Sequence, residues 1–315
     1  MNPQGQGGET PAVATERVAV VVVLYNSAEH LPEFIASLPA GLHGVEHQLV
    51  AVDNDSSDGG PDLVERLAPD AVVVRTGRNG GYSAGINAGV AAAGPHTAVL
   101  VVNSDVRLLP GCVPELLRRM RATGAGIGVP RLTDAQGRLI ESIRREPSVA
   151  RSFWDAVLSA KVAGRIGRLG EVVTDPRAYD VEQRVDWAEG STQLISRECW
   201  ERCGTWDESF FLYCEETDYD LRARDAGLGV LYVPTAEAVH LEGGSSVSVD
   251  WLWRLQVVNR IKLFRRRNGR AATAAFRLVT LLREASRAAL GRSKNRAAAR
   301  ALLDPRLLST SEGTP

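Results

Sequence analysis

The chain has 315 residues, 44% of them hydrophobic and 24% charged, a composition suited to a soluble globular protein with a substantial core. Its four cysteines (Cys112, Cys199, Cys203 and Cys214) show no spacing typical of a zinc module or a secreted disulfide framework, so neither organises the fold. The formal net charge of -1 conceals an asymmetry, because from Trp251 to Arg300 about fourteen Arg or Lys meet one acidic residue, Glu284.

Residues 1–16 are rich in Gly, Pro, Gln, Glu and Thr and are expected to form a disordered leader. No basic segment precedes a long apolar core, so a signal peptide is not expected. The run Val18 to Leu24 is far too short for a bilayer and reads as a first strand, ending at Tyr25-Asn26-Ser27. Ser27 is placed to cap a helix from Glu29 to Leu38. Gln48 to Val52 reads as a second strand, closed by the turn cluster Asp53 to Gly60, with Pro61 in the first turn of the next helix. Ala71 to Arg75 follows as a third strand. It leads into Arg78-Asn79-Gly80-Gly81-Tyr82-Ser83-Ala84-Gly85 and a small-residue helix to about Ala93. The dinucleotide fingerprint G-x-G-x-x-G is absent here. Such a loop either receives a phosphate at a helix N-terminus or serves as a tight turn with close helix–strand packing.

Ala98 to Val102 is a buried strand of a parallel sheet, and it runs into Asn103-Ser104-Asp105. Ligands of open α/β sheets bind at the carboxyl ends of strands, which makes Asp105 a candidate for a divalent cation; the plainer reading is a solvated turn. Residues 131–185 mix turn signals with basic and apolar residues and are expected to form an insertion rather than a separate domain. Order returns at Val185 to Ser191, then at a strand from Thr192 to Ile195 and a short helix capped by Ser196 and ended by Gly204. An aromatic run, Phe210 to Tyr213, feeds a helix whose first turn holds Glu215, Glu216 and Asp218. The helix dipole favours acids there, but adjacent carboxylates repel, which points to a cation, an arginine or catalytic use. Gly229 to Pro234 reads as a further strand, and His240 stands beyond it, next to the loop Gly243-Gly244-Ser245-Ser246.

Residues 251–303 are expected to form a basic helical extension, followed by a disordered tail at 304–315. Its Arg residues alternate with Trp251, Trp253, Leu255, Phe264 and Phe276, so the helices either pack with a solvated face or dock on an anionic membrane surface. No recognition motif for nucleic acid accompanies the charge.

Seven segments in this order resemble family 2 glycosyltransferases of the GT-A fold, and most of all the bacterial rhamnosyltransferases of cell-surface polysaccharide synthesis. They are Val23-Leu24-Tyr25-Asn26, Val52 to Gly59, Asn79-Gly80-Gly81-Tyr82 with Asn87 and Gly89, Asn103-Ser104-Asp105, Trp206 to Phe211, Glu215 to Asp218, and His240. The resemblance implies an α/β fold with a mostly parallel sheet flanked by helices, over a catalytic domain of residues 17–250. It implies that Tyr25, Asn26 and Asp53 hold the nucleotide, with Asn79 and Gly80 beside it. Asn103-Ser104-Asp105 takes the place of the D-x-D motif, so Asp105 binds Mg²⁺ or Mn²⁺ directly while Asn103 contacts ribose or water. His240 completes the metal shell, and its imidazole favours Mn²⁺. Glu216 falls on the catalytic base, kept ionised by the helix dipole, and Trp187, Gly190, Ser191, Glu215 and Asp218 lie on the acceptor side. The implied reaction is inverting transfer of a sugar, with rhamnose from dTDP-rhamnose favoured, from a nucleotide-diphosphate donor to a glycan or lipid-linked acceptor. The implied location is cytoplasmic, peripheral on the inner face of the plasma membrane.

Two other readings compete. A nucleotidyltransferase shares the strand-end Asp and metal but carries a G-x-G-x-R/K loop after its first strand, where this chain has Leu24-Tyr25-Asn26-Ser27. A non-catalytic nucleotide-sugar-binding or scaffold protein fits the Asn at 103 but not the joint presence of Asp105, Glu216 and His240.

Overall fold

The computed structural model describes residues 16–167, 169–241 and 248–304. The expected leader (except Glu16), the C-terminal tail beyond Asp304 and the Gly-Gly-Ser-Ser segment after His240 lie outside the described residues.

The first half alternates strand and helix: β1 (Arg17–Leu24), α1 (Leu31–Gly41), β2 (Glu46–Asp53), α2 (Gly60–Leu67), β3 (Val72–Arg75), α3 (Tyr82–Ala92), β4 (Ala98–Val102), β5 (Val106–Leu108) and α4 (Cys112–Thr123). There follow β6 (Ile127–Thr133), β7 (Ile143–Arg144), α5 (Val149–Leu158), α6 (Ala160–Arg165), β8 (Gln183–Val185), β9 (Trp187–Ala188), β10 (Thr192–Ser196) and α7 (Arg197–Cys203). The chain continues with α8 (Glu215–Asp225), β11 (Val230–His240), α9 (Val249–Arg267), α10 (Arg270–Ala289) and α11 (Ser293–Leu303).

Among the described residues, nine strands form one sheet in the order β3-β2-β1-β4-β10-β6-β11-β5, with β8 also on β11. The β3-β2-β1-β4 half is parallel, because each strand returns through a helix. β10 then inserts antiparallel between β4 and β6. Alternation along β1 splits the core: Val18, Val20, Val22 and Leu24 pack with α1, α2 and α4, while Val21 faces the layer of α3 and α8. On that second face helix and sheet approach closely. A Cβ added at Gly85 or Gly89 would stand 2.6 Å from Val23 Cγ1 or 2.5 Å from Val21 Cγ1. The glycine-rich segment is therefore at least a packing device.

Two local expectations are corrected. Ser27 makes no side-chain cap; Asp58 instead accepts the Ala28 N–H at 2.7 Å, tying the β1 loop to the β2 loop. The tail residues Leu255, Phe264 and Phe276 are buried, not poised to rest in a membrane. Phe264 and Phe276 stack with ring centroids 4.0 Å apart in a small core shared by α9, α10 and α11. Glu284, fully buried, accepts from Trp253 Nε1 at 2.8 Å and Asn295 Nδ2 at 2.6 Å, and so joins the three helices. The insertion packs inward through Ile143, Ala163, Val173 and Tyr179.

Candidate active site

The site is built where parallel strands end. The β1/β2 register sets Leu24 against Asp53, so both following loops emerge side by side. Asn26 is left-handed (φ 51°), and its Oδ1 accepts from the Ser57 N–H at 2.8 Å. Asp53, 6% exposed, accepts the Ser56 N–H at 3.0 Å, whereas Tyr25 stands 41% exposed at the rim. Asn79 Oδ1 takes the Gly81 N–H at 3.1 Å, with Gly80 between them. Gly81 has φ +89°, and a Cβ there would meet the Phe211 carbonyl oxygen at 2.3 Å, so only glycine fits. The adjoining Tyr82 N–H donates to that same carbonyl at 2.9 Å.

At the end of β4, the Tyr82 hydroxyl donates to Asn103 Oδ1 at 2.7 Å, which fixes the amide expected to meet ribose or water. Asp105 meets a residue far away in sequence. β11 pairs antiparallel with β5, His240 opposite Val106, and this brings His240 Nε2 to 3.4 Å from Asp105 Oδ2. The other imidazole nitrogen, Nδ1, lies 3.0 Å from Glu189 Oε1, close enough for an ion pair though off the line of a hydrogen bond. Burial pulls the His240 pKa down, but Asp105 and Glu189 outweigh it and raise it to about 10. The site thus holds an imidazolium between two carboxylates until something displaces its proton.

Those two groups fit a divalent cation. A separation of 3.4 Å is that of neighbouring ligands on one ion bound at about 2.1 Å. Glu189 stands where a carboxylate orients a metal-ligating histidine. Among the described residues no three His, Cys, Asp or Glu side chains gather as a closed metal cage, so further ligands would come from a substrate or water.

Glu216 sits in the first turn of α8, its Cβ only 3.0 Å from where a Cβ on Gly190 would stand. Here the expected effect of the helix dipole is overturned. Burial dominates, Glu189 adds repulsion, and the Glu216 pKa is pushed up to about 7 despite its own and the Thr217 backbone N–H groups and Arg144. Its Oε2 is buried without a hydrogen-bond partner. Glu215 beside it is also raised well above the usual carboxylate range, by burial and by Glu216. Asp218 is ion-paired to Arg222 at 2.8 Å and to Arg266 at 3.8 Å. Ser191, 3% exposed, gives its carbonyl to the Asn103 N–H at 2.9 Å, and Trp187 Nε1 donates to the Arg145 carbonyl at 3.0 Å. Glu216, Trp187, Tyr213, Trp253, Arg260 and Arg283 line one cavity of about 130 Å³ between α8 and the C-terminal helices.

Sequence reasoning missed Tyr82, Arg144, Glu189 and Asn259 as site residues. The last is the most informative. Tyr213 and Cys214, immediately before α8, are both left-handed (φ 70° and 72°), a conformation costly for non-glycine residues. Asn259 on α9 holds them, its Nδ2 donating to the Leu212 carbonyl at 2.9 Å and the Tyr213 carbonyl at 3.2 Å. An apolar-periodic helix with one Asn is the sole signal in the sequence, and it does not say what that Asn faces.

The chain is similar to known proteins in sequence and in fold. The profile described as glycosyl transferase family 2 matches residues 19–163. An N-acetylglucosaminyl-diphospho-decaprenol L-rhamnosyltransferase of Mycobacterium tuberculosis is 32% identical over 246 residues, covering 74% of this chain and 78% of that protein. The chain belongs to glycosyl transferase family 2. A low-salt glycan biosynthesis hexosyltransferase of Haloferax volcanii is 28% identical over 228 residues, covering 71% of this chain and 66% of its own. Among solved structures, a mannosyltransferase from Pyrobaculum calidifontis, in complex with GDP-mannose and Mn²⁺, aligns with a TM-score of 0.55 at 16% identity. That alignment covers 96% of this chain and 81% of the other, and it shows the shared GT-A fold. The family 2 glycosyltransferase is therefore an enzyme that uses a sugar donor, like the bacterial rhamnosyltransferases, and the nucleotidyltransferase and scaffold readings fall away.

Proposed function

We propose that this glycosyltransferase moves L-rhamnose from dTDP-rhamnose to a hydroxyl of a lipid-linked diphospho-sugar, with inversion and with a divalent cation, at the inner face of the plasma membrane. The observation that carries the reading is the convergence of Glu216, a carboxylate whose pKa lies at about 7, with the Asp105–His240 pair at the strand ends. The sugar and acceptor class are supported by the mycobacterial relative, whose name specifies both. Tyr25, Asn26, Asp53, Asn79 and Gly80 ring the strand-end cleft and are assigned to the nucleotide. The cavity beside Glu216 is assigned to the acceptor, with Trp187 as an apolar wall for a sugar ring.

Glu216 takes the proton of the acceptor hydroxyl while that oxygen bonds to the anomeric carbon. The bond from that carbon to the donor diphosphate breaks in the same displacement, its electron pair leaving with the diphosphate, so no covalent enzyme intermediate is needed. Asp105 and His240 would hold a divalent cation, which would supply Lewis-acid stabilisation of the departing negative charge, and the imidazole ligand would favour Mn²⁺. Glu189 keeps His240 oriented, and Tyr82 keeps Asn103 in place.

A panel of nucleotide sugars tests the reading, scored by thermal stabilisation and by transfer to a synthetic N-acetylglucosaminyl-diphospho-lipid. dTDP-rhamnose is expected to stabilise and to be consumed, and Asp105→Ala to abolish metal-dependent donor binding. Saturation by a different donor would overturn the sugar assignment, and full activity in excess chelator would overturn the cation.

A further inference from the structure

The helices that cover the cavity carry an outer surface of one chemical character. Over residues 149–167 and 251–303 the acidic side chains are Asp155 and Glu284, 5% and 0% exposed, so the charge these segments expose is cationic. Helix α10 buries Thr273, Phe276, Thr280 and Glu284 on one side. On the other, Ala271, Ala275, Leu278, Leu282, Ala285 and Ala289 recur at spacings of three and four, all exposed. Leu278 is 56% and Leu282 61% exposed, and just past the helix Leu290 is 77% exposed. The helix packed alongside, α5, adds Phe153 and Val157, 46% and 60% exposed. Beside this apolar stripe a groove of about 270 Å³ between α9 and α10 is walled by Lys262, Arg265, Arg270 and Arg277.

We propose that this face docks the enzyme on an anionic phospholipid bilayer. Leu278 and Leu282 enter the acyl boundary, and the groove of cations receives lipid phosphate. Charge complementarity selects this occupant. An aqueous surface has no use for a leucine stripe, and a polycationic rim without exposed acids repels a second copy of itself. Among the described residues no helix is long and apolar enough to cross a membrane, so the attachment is to one leaflet. The surface differs from the buried Phe264 and Phe276, which periodicity alone would have offered to lipid.

The test uses the full chain without donor or acceptor, so its outcome is independent of the transfer chemistry. Co-sedimentation is measured with phosphatidylcholine vesicles and with vesicles containing roughly 30% phosphatidylglycerol, at low and high salt. Binding is expected only with the anionic lipid, and to fall about ten-fold or more at 1 M salt, where the screening length is about 3 Å. The double variant Leu278→Ser/Leu282→Ser is expected to lose about five-fold or more of the binding at an unchanged melting temperature. Arg270→Gln/Arg277→Gln is expected to act likewise. Absence of binding, equal binding to neutral vesicles, or full binding by the leucine variant would each overturn the proposal. So would a dimer in sedimentation velocity that the leucine variant dissolves, since a second copy would then cover the face.

Discussion

Glu216, the proposed base, shows how surroundings reshape a single carboxylate. Burial lifts its pKa from 4.5 to about 7, so a small change in pH sets the fraction able to accept a proton. Turnover is accordingly expected to rise with pH through about 7, in a kcat profile taken at saturating donor. Glu216→Gln keeps the shape and removes the acceptor, so donor affinity should persist while kcat drops by about 10²-fold or more. The same loss from Glu215→Gln alone would move the base by one residue. Stability should respond in the opposite sense to activity. Between 4.5 and about 7 the folded chain holds a proton on Glu216 that the unfolded chain lacks, so this group's contribution to stability declines as pH rises across that window. Comparing the pH dependence of denaturant midpoints for the wild type and Glu216→Gln isolates that contribution.

Elements earn their place here by where they end. α8 starts inside the site only because Tyr213 and Cys214 turn left-handed before it, and Asn259 from α9 satisfies the carbonyls this turn exposes. Asn259→Ala removes both hydrogen bonds from a buried position, at a cost of about 1–3 kcal/mol. Its kcat is expected to fall about ten-fold or more as Glu216 drifts, while the donor KM stays near wild type. Steady-state kinetics with a parallel thermal melt distinguishes this from simple unfolding; an unchanged kcat would mean the turn holds itself. Gly81 illustrates the complementary constraint. Its substitution by Ala forces both a positive φ and an overlap with Phe211, and should destabilise by about 2 kcal/mol or more in urea melts.

At the scale of the molecule, α9, α10 and α11 are part of the catalytic body rather than an attachment to it. Lys262 and Arg266 reach Ser209 and Asp207 before α8, Arg260 pairs with Glu171 of the insertion, and Arg267 bonds Glu146 at 2.8 Å. Glu284 anchors the three helices to one another, and its loss strands the Trp253 and Asn295 donors in a dry interior. Glu284→Ala is expected to cost about 2–4 kcal/mol and to lower the midpoint of one cooperative transition. A separate early transition, leaving the remainder of the chain folded, would show that the helices unfold on their own.

What local chemistry writes can be read from the order of residues. Runs such as Val18 to Leu24 and Ala98 to Val102 are too apolar to be anything but buried strands, the turn cluster at Asp53 to Gly60 has to end one, and the ordered motifs carry the family. Periodicity also located the tail helices, but it could not say which side of them lies inside. Phe264 and Phe276 went to the core while Leu278 and Leu282 stayed out, because that choice depends on which surface the rest of the chain offers. For the same reason the site's electrostatics follow from the assembled fold and not from any one segment. The β5/β11 register carries His240 to Asp105 across more than a hundred residues, and the burial that sets the Glu216 pKa is a sum over every neighbour that excludes water. A helix dipole is local and can be read from the order of residues; desolvation is not, and at Glu216 desolvation is the larger effect.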